Sequence, residues 1–230
     1  SGIVFVSNVV QKHIEYAVSQ KIPCVLVNSY SDKLPSVLSD NRKGAYLAGR
    51  YLIEHGHKTV ALLAGVRSYL SNQERTAGFL QAFQEEGLSI PPELILETGS
   101  WLYDAAEKVC LNFFNTYTGE MPTALFAFND RLATGAINAI CKTGRTVPDD
   151  VSVIGYDNLG YYNIISPRIT TVETHIEAIS ESTVMHMIWQ LNNGSCLPVK
   201  VLTPVEVISG ETVRSLLCLL YTSDAADDRI

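Results

Sequence analysis

Long apolar runs are missing from this sequence, and so is an excess of positive charge. The longest apolar stretches, such as residues 60–65, stop far short of the ~20 residues that a membrane-spanning helix needs, so we expect no membrane contact. Lysine and arginine number 17 against 24 aspartates and glutamates, which gives a formal net charge of −7. Because duplex DNA is bound by clustered basic side chains, we expect that these 230 residues do not themselves bind nucleic acid.

Paired cysteine motifs are absent as well. The five cysteines show no C-x-x-C spacing, and Cys218 lies in a C-terminal tail treated below. Cys24 falls in an apolar strand pattern, Cys110 and Cys141 fall on apolar helix faces, and Cys196 has no partner at a paired spacing. We therefore predict buried free thiols in a reducing compartment, which places the protein in the cytoplasm.

Motifs for catalysis and for metal or phosphate binding are also missing. Neither G-x-x-x-x-G-K-[ST], G-x-G-x-x-G nor G-x-S-x-G occurs. The one close histidine pair, His55 and His57, lies at a predicted helix end, where the helix dipole favours imidazolium, and no third ligand is near it in sequence. Asp149 and Asp150 precede a strand, which favours a solvated turn over acid–base chemistry. We predict no cofactor, no metal and no enzymatic activity.

Both ends of the sequence are unusual. Residues 1–7 lead directly into a strand pattern, so we expect the chain to begin inside a domain. Residues 218–228 match an in-frame translation of the transposase mosaic-end adapter used in sequencing libraries, with a natural acidic tail as the alternative. We expect the native sequence to end near Leu216 or Leu217 and residues 218–230 to be non-native.

Apolar, β-rich runs alternate with helical patterns along the chain. The predicted strands are Ile3–Ser7, Cys24–Asn28, Val60–Ala64, Leu94–Glu97, Ala124–Ala127 and Val151–Tyr156, followed by a long helix at Ile176–Leu191 and an extended run at Val199–Val207. Continuous apolar strands are typical of parallel sheets that are covered on both faces. Gly56, Gly87 and Gly144 follow helical runs, where a left-handed residue ends a helix. The pattern predicts an α/β, doubly wound fold.

Ligands of such folds bind at the carboxyl ends of the strands. The segments that follow the predicted strands are 28–30, 65–73, 99–102, 128–130 and 157–162. They are rich in Asn, Asp, Arg, Trp and Tyr. This mixture suits a neutral polyhydroxylated or heterocyclic ligand.

Five segments, in order, resemble the LacI/GalR (lactose-repressor/galactose-repressor) family of bacterial transcription regulators. They are LIEHGHKTVALLAG at 52–65, ERTAGF at 74–79, PTALFAFND at 122–130, VPDDVSVIGYDN at 147–158 and PRITTV at 167–172. The resemblance extends from residue 1 to about residue 216. One segment alone would be weak evidence, but the ordered set is specific.

The resemblance implies the type I periplasmic-binding-protein fold, in which two doubly wound parallel-sheet lobes flank a ligand cleft. One lobe would comprise residues 1–39 and 174–201, with its opening elements missing, and the other residues 40–173 and 202–217. A homodimer would bind a small effector, a sugar or a nucleoside-like molecule, and would contact operator DNA only through an N-terminal head that is absent here. The alternative is a periplasmic sugar-binding protein of a transporter, which shares the fold.

The resemblance also implies ligand-binding residues. Arg75 stands at the family's ligand-contacting arginine, although an ion pair with Glu74 or another acid is the structural alternative. Trp101 stands where the family places an aromatic ring, and a core position is its alternative. Asp157 occupies the family's acidic position, where it would accept a hydrogen bond from the ligand or else anchor the turn. Tyr69 is a weaker candidate.

Asn129 and Asp130 stand together at the start of a predicted helix, and one of them must cap it. The family uses this asparagine as a ligand hydrogen-bonding group, so Asp130 is predicted to be the cap. One position departs from the family, because many relatives carry a glutamine where this sequence has Thr174, between Glu173 and His175. The hydrogen-bonding pattern at that corner is therefore left open.

Overall fold

A computed structural model of the chain describes residues 1–7, 9–160, 166–194 and 196–217. Within these ranges the strands are β1 (Ile3–Val6), β2 (Cys24–Val27), β3 (Ser36–Ser39), β4 (Val60–Ala64), β5 (Ile95–Glu97), β6 (Ala124–Ala127), β7 (Ser152–Ile154), β8 (Thr171–Glu173), β9 (Lys200–Thr203) and β10 (Glu206–Ile208). The helices are α1 (Gln11–Ser19), α2 (Asn41–Glu54), α3 (Leu70–Glu85), α4 (Tyr103–Thr116), α5 (Asp130–Lys142) and α6 (Ile176–Asn193).

The first sheet has the order β1-β2-β3-β9, and all of its strands are parallel. Successive side chains of a strand point to opposite faces, and β2 uses both. Cys24 and Leu26 pack with Ile14 of α1 on one face, whereas Val25 packs with Ile179 of α6 on the other. The apolar run of β2 is therefore explained by burial on both sides.

The second sheet has the order β5-β4-β6-β7, is also parallel, and carries the largest core. Phe79 of α3 stacks on Phe126 of β6, with ring centroids 4.7 Å apart. Helices α2 and α3 approach closely because small residues meet at their contact. A Cβ atom on Gly78 would lie 2.0 Å from the carbonyl oxygen of Arg42, and one on Gly49 would lie 2.8 Å from Ala82.

Strands β8 and β10 form a separate two-stranded antiparallel ribbon. It lies beside the end of β7, since Ile154 bridges to Thr170 and Asp157 bridges to Glu173. The ribbon thereby places the start of α6 next to the turn that follows β7.

The α/β fold class with parallel sheets is confirmed, and most predicted elements lie within two residues of the observed ones. Val60–Ala64 and Ala124–Ala127 are observed as predicted, and the run Val199–Val207 divides into β9 and β10. Gly56, Gly87 and Gly144 have φ values of +88°, +69° and +80°, as predicted for helix ends. The boundaries of the two lobes stay predictions. The predicted non-native tail at 218–230 and positions 161 and 162 lie outside the described residues.

One prediction about burial and one about charge are wrong. Cys24 and Cys110 are buried, but Cys141 and Cys196 are exposed. Cys141 follows Ile140, the last buried residue of α5, and the next side chain along a helix points about 100° away from that stripe. The helix dipole was predicted to favour imidazolium at His55 and His57, but His57 is fully buried, and burial lowers its pKa and so disfavours the charged form.

No helix in the described ranges is both long enough and apolar enough to cross a membrane.

Candidate functional site

A cleft of about 480 Å³ lies where the carboxyl ends of strands from both sheets meet. The first sheet contributes Asn28 after β2 and Ser39 at the end of β3. Arg75 of α3 and Asp157, from the turn after β7, lie on the other side, and Thr174 follows β8. The rest of the lining is mostly apolar and comes largely from β1 and α6, although α6 also contributes the hydroxyl groups of Ser180 and Thr183. The cleft thus combines an apolar wall with a few convergent polar groups, as small-molecule sites do.

Arg75 is held by three hydrogen bonds and one ring contact. Its Nε donates to Asn41 Oδ1 at 2.8 Å, its Nη1 donates to the carbonyl of Phe128, and its Nη2 lies 3.3 Å from Asp157 Oδ1. The guanidinium carbon lies 3.6 Å from the ring centroid of Tyr156. These contacts fix the side chain, which is also almost fully buried. Of its five N–H groups, the two that make none of these hydrogen bonds are available to a ligand.

The helix pair α2–α3 explains how Arg75 reaches this position. Asp40 caps α2 by accepting a hydrogen bond from the backbone N–H of Lys43 at 3.0 Å, and the next residue, Asn41, is buried. Close packing at Gly78 brings α3 against α2, so that Arg75 meets Asn41 across the helix contact. Asn41 is not among the predicted site residues, because its only local signal in the sequence is its place after a capping aspartate.

Asp157 lies in a strained turn. Its φ is +107°, which is unfavourable for a residue with a Cβ atom, and such strain persists only where the surroundings hold it. Its N–H donates to the Val172 carbonyl at 2.9 Å, and its carbonyl accepts from Thr174 Oγ1 at 3.2 Å. Burial raises the pKa of the Asp157 carboxyl, and Arg75 opposes this rise. The side chain retains 27% exposure, so that a ligand can reach it.

Tyr69 and Trp101 form an aromatic pair beside the cleft. Their ring centroids are 5.8 Å apart at 52°. Trp101 packs on Gly65, where a Cβ atom would lie 2.6 Å from the indole ring. The indole Nε1 is buried and has no hydrogen-bond partner in the described part of the chain.

Asn129 is the N-cap of α5, and the prediction that Asp130 would cap this helix is wrong. The Asn129 side-chain oxygen accepts from the Leu132 N–H at 2.7 Å, while its amide nitrogen donates to the Trp101 carbonyl at 3.4 Å. Asp130 cannot cap because it is the first helical residue, and its side chain turns inward to Thr171. One amide N–H and one lone pair of the side-chain oxygen of Asn129 therefore remain for a ligand.

The five predicted site residues thus form two groups. Arg75 and Asp157 meet directly and line the cleft. Trp101 contacts both Tyr69 and Asn129, and none of these three residues belongs to the cleft lining. The two groups are linked through Phe128. Arg75 donates to the Phe128 carbonyl, and Phe128 directly precedes Asn129 in sequence.

The alternative role predicted for Arg75 was an ion pair with Glu74 or another acid. Arg75 does pair with an acid, but this acid is Asp157, whereas Glu74 pairs with Lys200 at 3.7 Å. Thr174, at the departure from the family pattern, lines the cleft and donates to the Asp157 carbonyl.

No group of three or more potential metal ligands occurs among the described residues. His57 instead has a structural role. A carbonyl can only accept, so His57 Nε2 donates to the Arg214 carbonyl at 3.0 Å, and Nδ1 lies 3.0 Å from Thr123 Oγ1.

Comparison with known proteins gives a consistent result. Residues 50–213 match the periplasmic binding protein-like domain family. The chain is 30% identical over 225 residues to the HTH-type transcriptional repressor ExuR of Bacillus subtilis, which covers 94% of this chain and 65% of that protein. It is 41% identical over 142 residues to the HTH-type transcriptional repressor PurR of Vibrio parahaemolyticus, which covers 62% of this chain and 42% of that protein.

The crystal structure of a LacI transcriptional regulator from Bacillus cereus superposes with a TM-score of 0.84 at 25% identity, over 93% of this chain and 76% of that one. The chain spans less than two thirds of the length of the two curated relatives.

Proposed function

This chain belongs to the LacI/GalR family, within its periplasmic-binding-protein-like domain, and we propose that it is the effector-sensing and dimerisation part of a cytoplasmic transcription regulator. A small neutral ligand, a sugar by preference, occupies the cleft. The regulator acts as a homodimer, and ligand binding changes its affinity for operator DNA. The DNA is bound through a head domain outside this sequence. No chemical step is proposed, and ligand binding is the whole activity of the domain.

The Arg75–Asp157 pair is the observation that carries this proposal. A sugar hydroxyl both donates and accepts, so one hydroxyl can accept from a free N–H of Arg75 while another donates to Asp157. The charge of Arg75 is already compensated by Asp157 at 3.3 Å. A carboxylate ligand would have to compete with Asp157 for the guanidinium, which favours a neutral ligand over an acidic one.

The two sides of the cleft give the ligand its effect on conformation. Asn28 and Ser39 come from the first sheet, whereas Arg75 and Asp157 are placed by elements of the second. A ligand that contacts both sides favours one arrangement of the sheets over another. A tenfold preference corresponds to about 1.4 kcal/mol of coupling, which is sufficient to change operator affinity in a dimer.

Isothermal titration calorimetry with four probes tests the proposal. The probes are D-ribose, D-galactose, D-glucuronate and adenosine, each titrated into the 230-residue chain. We expect binding of a neutral sugar, no binding of D-glucuronate, and at least tenfold weaker sugar binding in Asp157→Asn. Asp104→Asn removes an exposed acid in the first turn of α4, away from the cleft lining, and serves as the control. Unchanged sugar affinity in Asp157→Asn, or binding of D-glucuronate alone, would contradict the proposal.

A periplasmic sugar-binding protein is the second candidate, and the matched domain family favours it as well. Its cleft would use the same side chains, so ligand binding does not separate the two. Translation of the coding DNA upstream of Ser1 does separate them. A helix-turn-helix segment there supports the regulator, and a basic, apolar signal peptide supports the transport protein.

A further inference from the structure

One carboxylate joins the turn that carries Asp157 to the start of α6. Glu173 is the last residue of β8, and its Oε2 accepts a hydrogen bond from the side-chain amide of Asn158, the residue after Asp157. Its Oε1 accepts from the backbone N–H of His175 at 2.8 Å, directly before α6 begins at Ile176. The two oxygens of Glu173 therefore hold two different segments of the chain.

Both segments contain residues with positive φ. Asn158 has φ +52° and follows Asp157 at +107°, and His175 has φ +49°. Such values are uncommon for residues with a Cβ atom, and they persist where surrounding contacts hold them. Glu173 supplies one of these contacts on each side, so its side chain supports the backbone of the ligand turn and of the helix start together.

Neighbouring side chains of the β8–β10 ribbon support one segment each. Thr174 Oγ1 donates to the Asp157 carbonyl at 3.2 Å, which holds the turn. The ring Nε2 of His175 lies 3.2 Å from Oε1 of Glu206 in β10, which holds the start of α6. The side chain of Glu173, by contrast, reaches both segments.

The start of α6 is also where the chain returns to the first sheet. Ile179 of α6 packs with Val25 of β2 and Val37 of β3. Asn158 belongs to the turn after β7 of the second sheet. Movement of α6 with the first sheet therefore displaces one partner of Glu173 relative to the other.

We propose that Glu173 is a positioning residue of the ligand site, which couples the turn of Asp157 to the start of α6. The proposal deepens the proposed function and rests on it, because Asp157 matters as the ligand's partner. The two hydrogen bonds share the entropy cost of ordering one glutamate side chain, so each is stronger while the other is present. A ligand that fixes the turn strengthens the hold on α6, and loss of that hold weakens ligand binding by the same factor.

Amide hydrogen exchange of His175, followed by NMR at constant pH and without ligand, reports the hold on α6. Glu173→Ala removes the acceptor, and we expect exchange to become at least about tenfold faster, as for loss of a hydrogen bond to a charged group. Asn158→Asp removes the donor at the far end of the link and keeps a residue type that tolerates positive φ. If the two bonds are coupled, His175 exchange becomes at least about threefold faster in this variant.

A swapped pair separates this coupling from a general loosening of the turn. In the double variant Asn158→Asp with Glu173→Gln, the new amide group donates to the new carboxylate, while its oxygen accepts from the His175 N–H. The net charge is that of the wild type, and we expect the exchange rate to return to within about twofold of the wild-type rate, because both hydrogen bonds are present. Glu177→Gln, which changes an exposed acid in the first turn of α6, is the control and should keep the wild-type rate. Unchanged exchange in either single variant, or fast exchange that persists in the double variant, would overturn the proposal.

Calorimetry measures the effect on the ligand site, with whichever neutral sugar the wild type binds, D-ribose or D-galactose. Glu173 lies outside the cleft lining, so Glu173→Ala acts on the ligand through the turn. We expect sugar binding to weaken at least about threefold in Glu173→Ala. Glu173→Gln should bind nearly as the wild type does, because the Asn158 amide can turn over and both hydrogen bonds persist.

An affinity that is unchanged in Glu173→Ala, or equally reduced in both variants, would overturn the proposal. If the wild type binds neither sugar, the proposed function fails, and the exchange rates of His175 then decide on the coupling by themselves.

Discussion

The guanidinium Nη2 of Arg75 lies 3.3 Å from the Asp157 carboxylate, although 82 residues separate the two in sequence. The Arg75 side chain is also held by Asn41 of α2, and the backbone of Asp157 is held by Thr174, which follows β8. The pair is therefore fixed before a ligand arrives. Preorganised polar groups of this kind lower the entropy cost of binding.

Arg75→Gln is expected to destabilise the fold as well as to abolish ligand binding. Removing one partner of a buried ion pair leaves the other charge without compensation, which costs about 3 kcal/mol. Urea denaturation measures this loss. Arg67→Gln is the matched control, because its ion pair with Glu97 is 3.6 Å long and Arg67 is 83% exposed, so we expect a change below about 1 kcal/mol. Equal losses in both variants would contradict the role assigned to Arg75.

Gly65→Ala is expected to displace Trp101. The added Cβ atom would lie 2.6 Å from the indole ring, so the ring must move, and overpacking of this kind costs about 1–3 kcal/mol. Tryptophan fluorescence on a Trp189→Phe background reports Trp101 alone, and we expect a red-shifted emission. Gly144→Ala is the control, since no atom of the described residues lies within 4 Å of its Cβ position. An unchanged spectrum in Gly65→Ala would show that the ring does not depend on this contact.

The sequence predicts the fold well where a strand is a continuous apolar run. β4 reads VALLA and β6 reads ALFA, and both are fully buried. β3 reads SVLS and β8 reads TVE, so neither forms such a run, and neither is among the predicted strands. Their place in the sheets is decided by tertiary pairing, in β3 between β2 and β9, which local pattern does not contain.

The site is predicted less completely than the fold. The resemblance to the family identified Arg75 and Asp157, but neither composition nor spacing could show that they pair. The cap of α5 was assigned to Asp130 instead of Asn129, because the family assigns the asparagine to the ligand and so left the cap to the aspartate. Cap geometry depends on which residue has extended backbone angles, and here Asn129 does, with φ −155° and ψ 168°.

His57 is expected to make the fold less stable in acid. Burial lowers its pKa, so the unfolded chain binds a proton near pH 6.5 while the folded chain does not. The unfolded state then holds more protons, and the free energy of unfolding falls as pH drops below about 6.5, by up to about 1.4 kcal/mol per pH unit. Urea denaturation from pH 7 to pH 5 measures the slope. The slope should be smaller in His57→Gln, whereas the exposed His13→Gln should match the wild type.

Lys200→Met is expected to weaken sugar binding slightly and in a salt-dependent way. Lys200 of β9 pairs with Glu74 of α3 at 3.7 Å and lies 5.4 Å from the ring centroid of Tyr30, so it links the first sheet to a helix of the second. Its side chain is 39% exposed, which limits the contribution of the pair to below about 1 kcal/mol, or about fivefold in affinity. Calorimetry at about 0.05 M and 0.5 M NaCl separates the electrostatic part. The wild type should lose affinity at high salt and approach Lys200→Met, and Lys108→Met, an exposed lysine of α4, is the control. If Lys200→Met binds as tightly as the wild type at low salt, the link does not hold the sheets in the arrangement that binds the ligand.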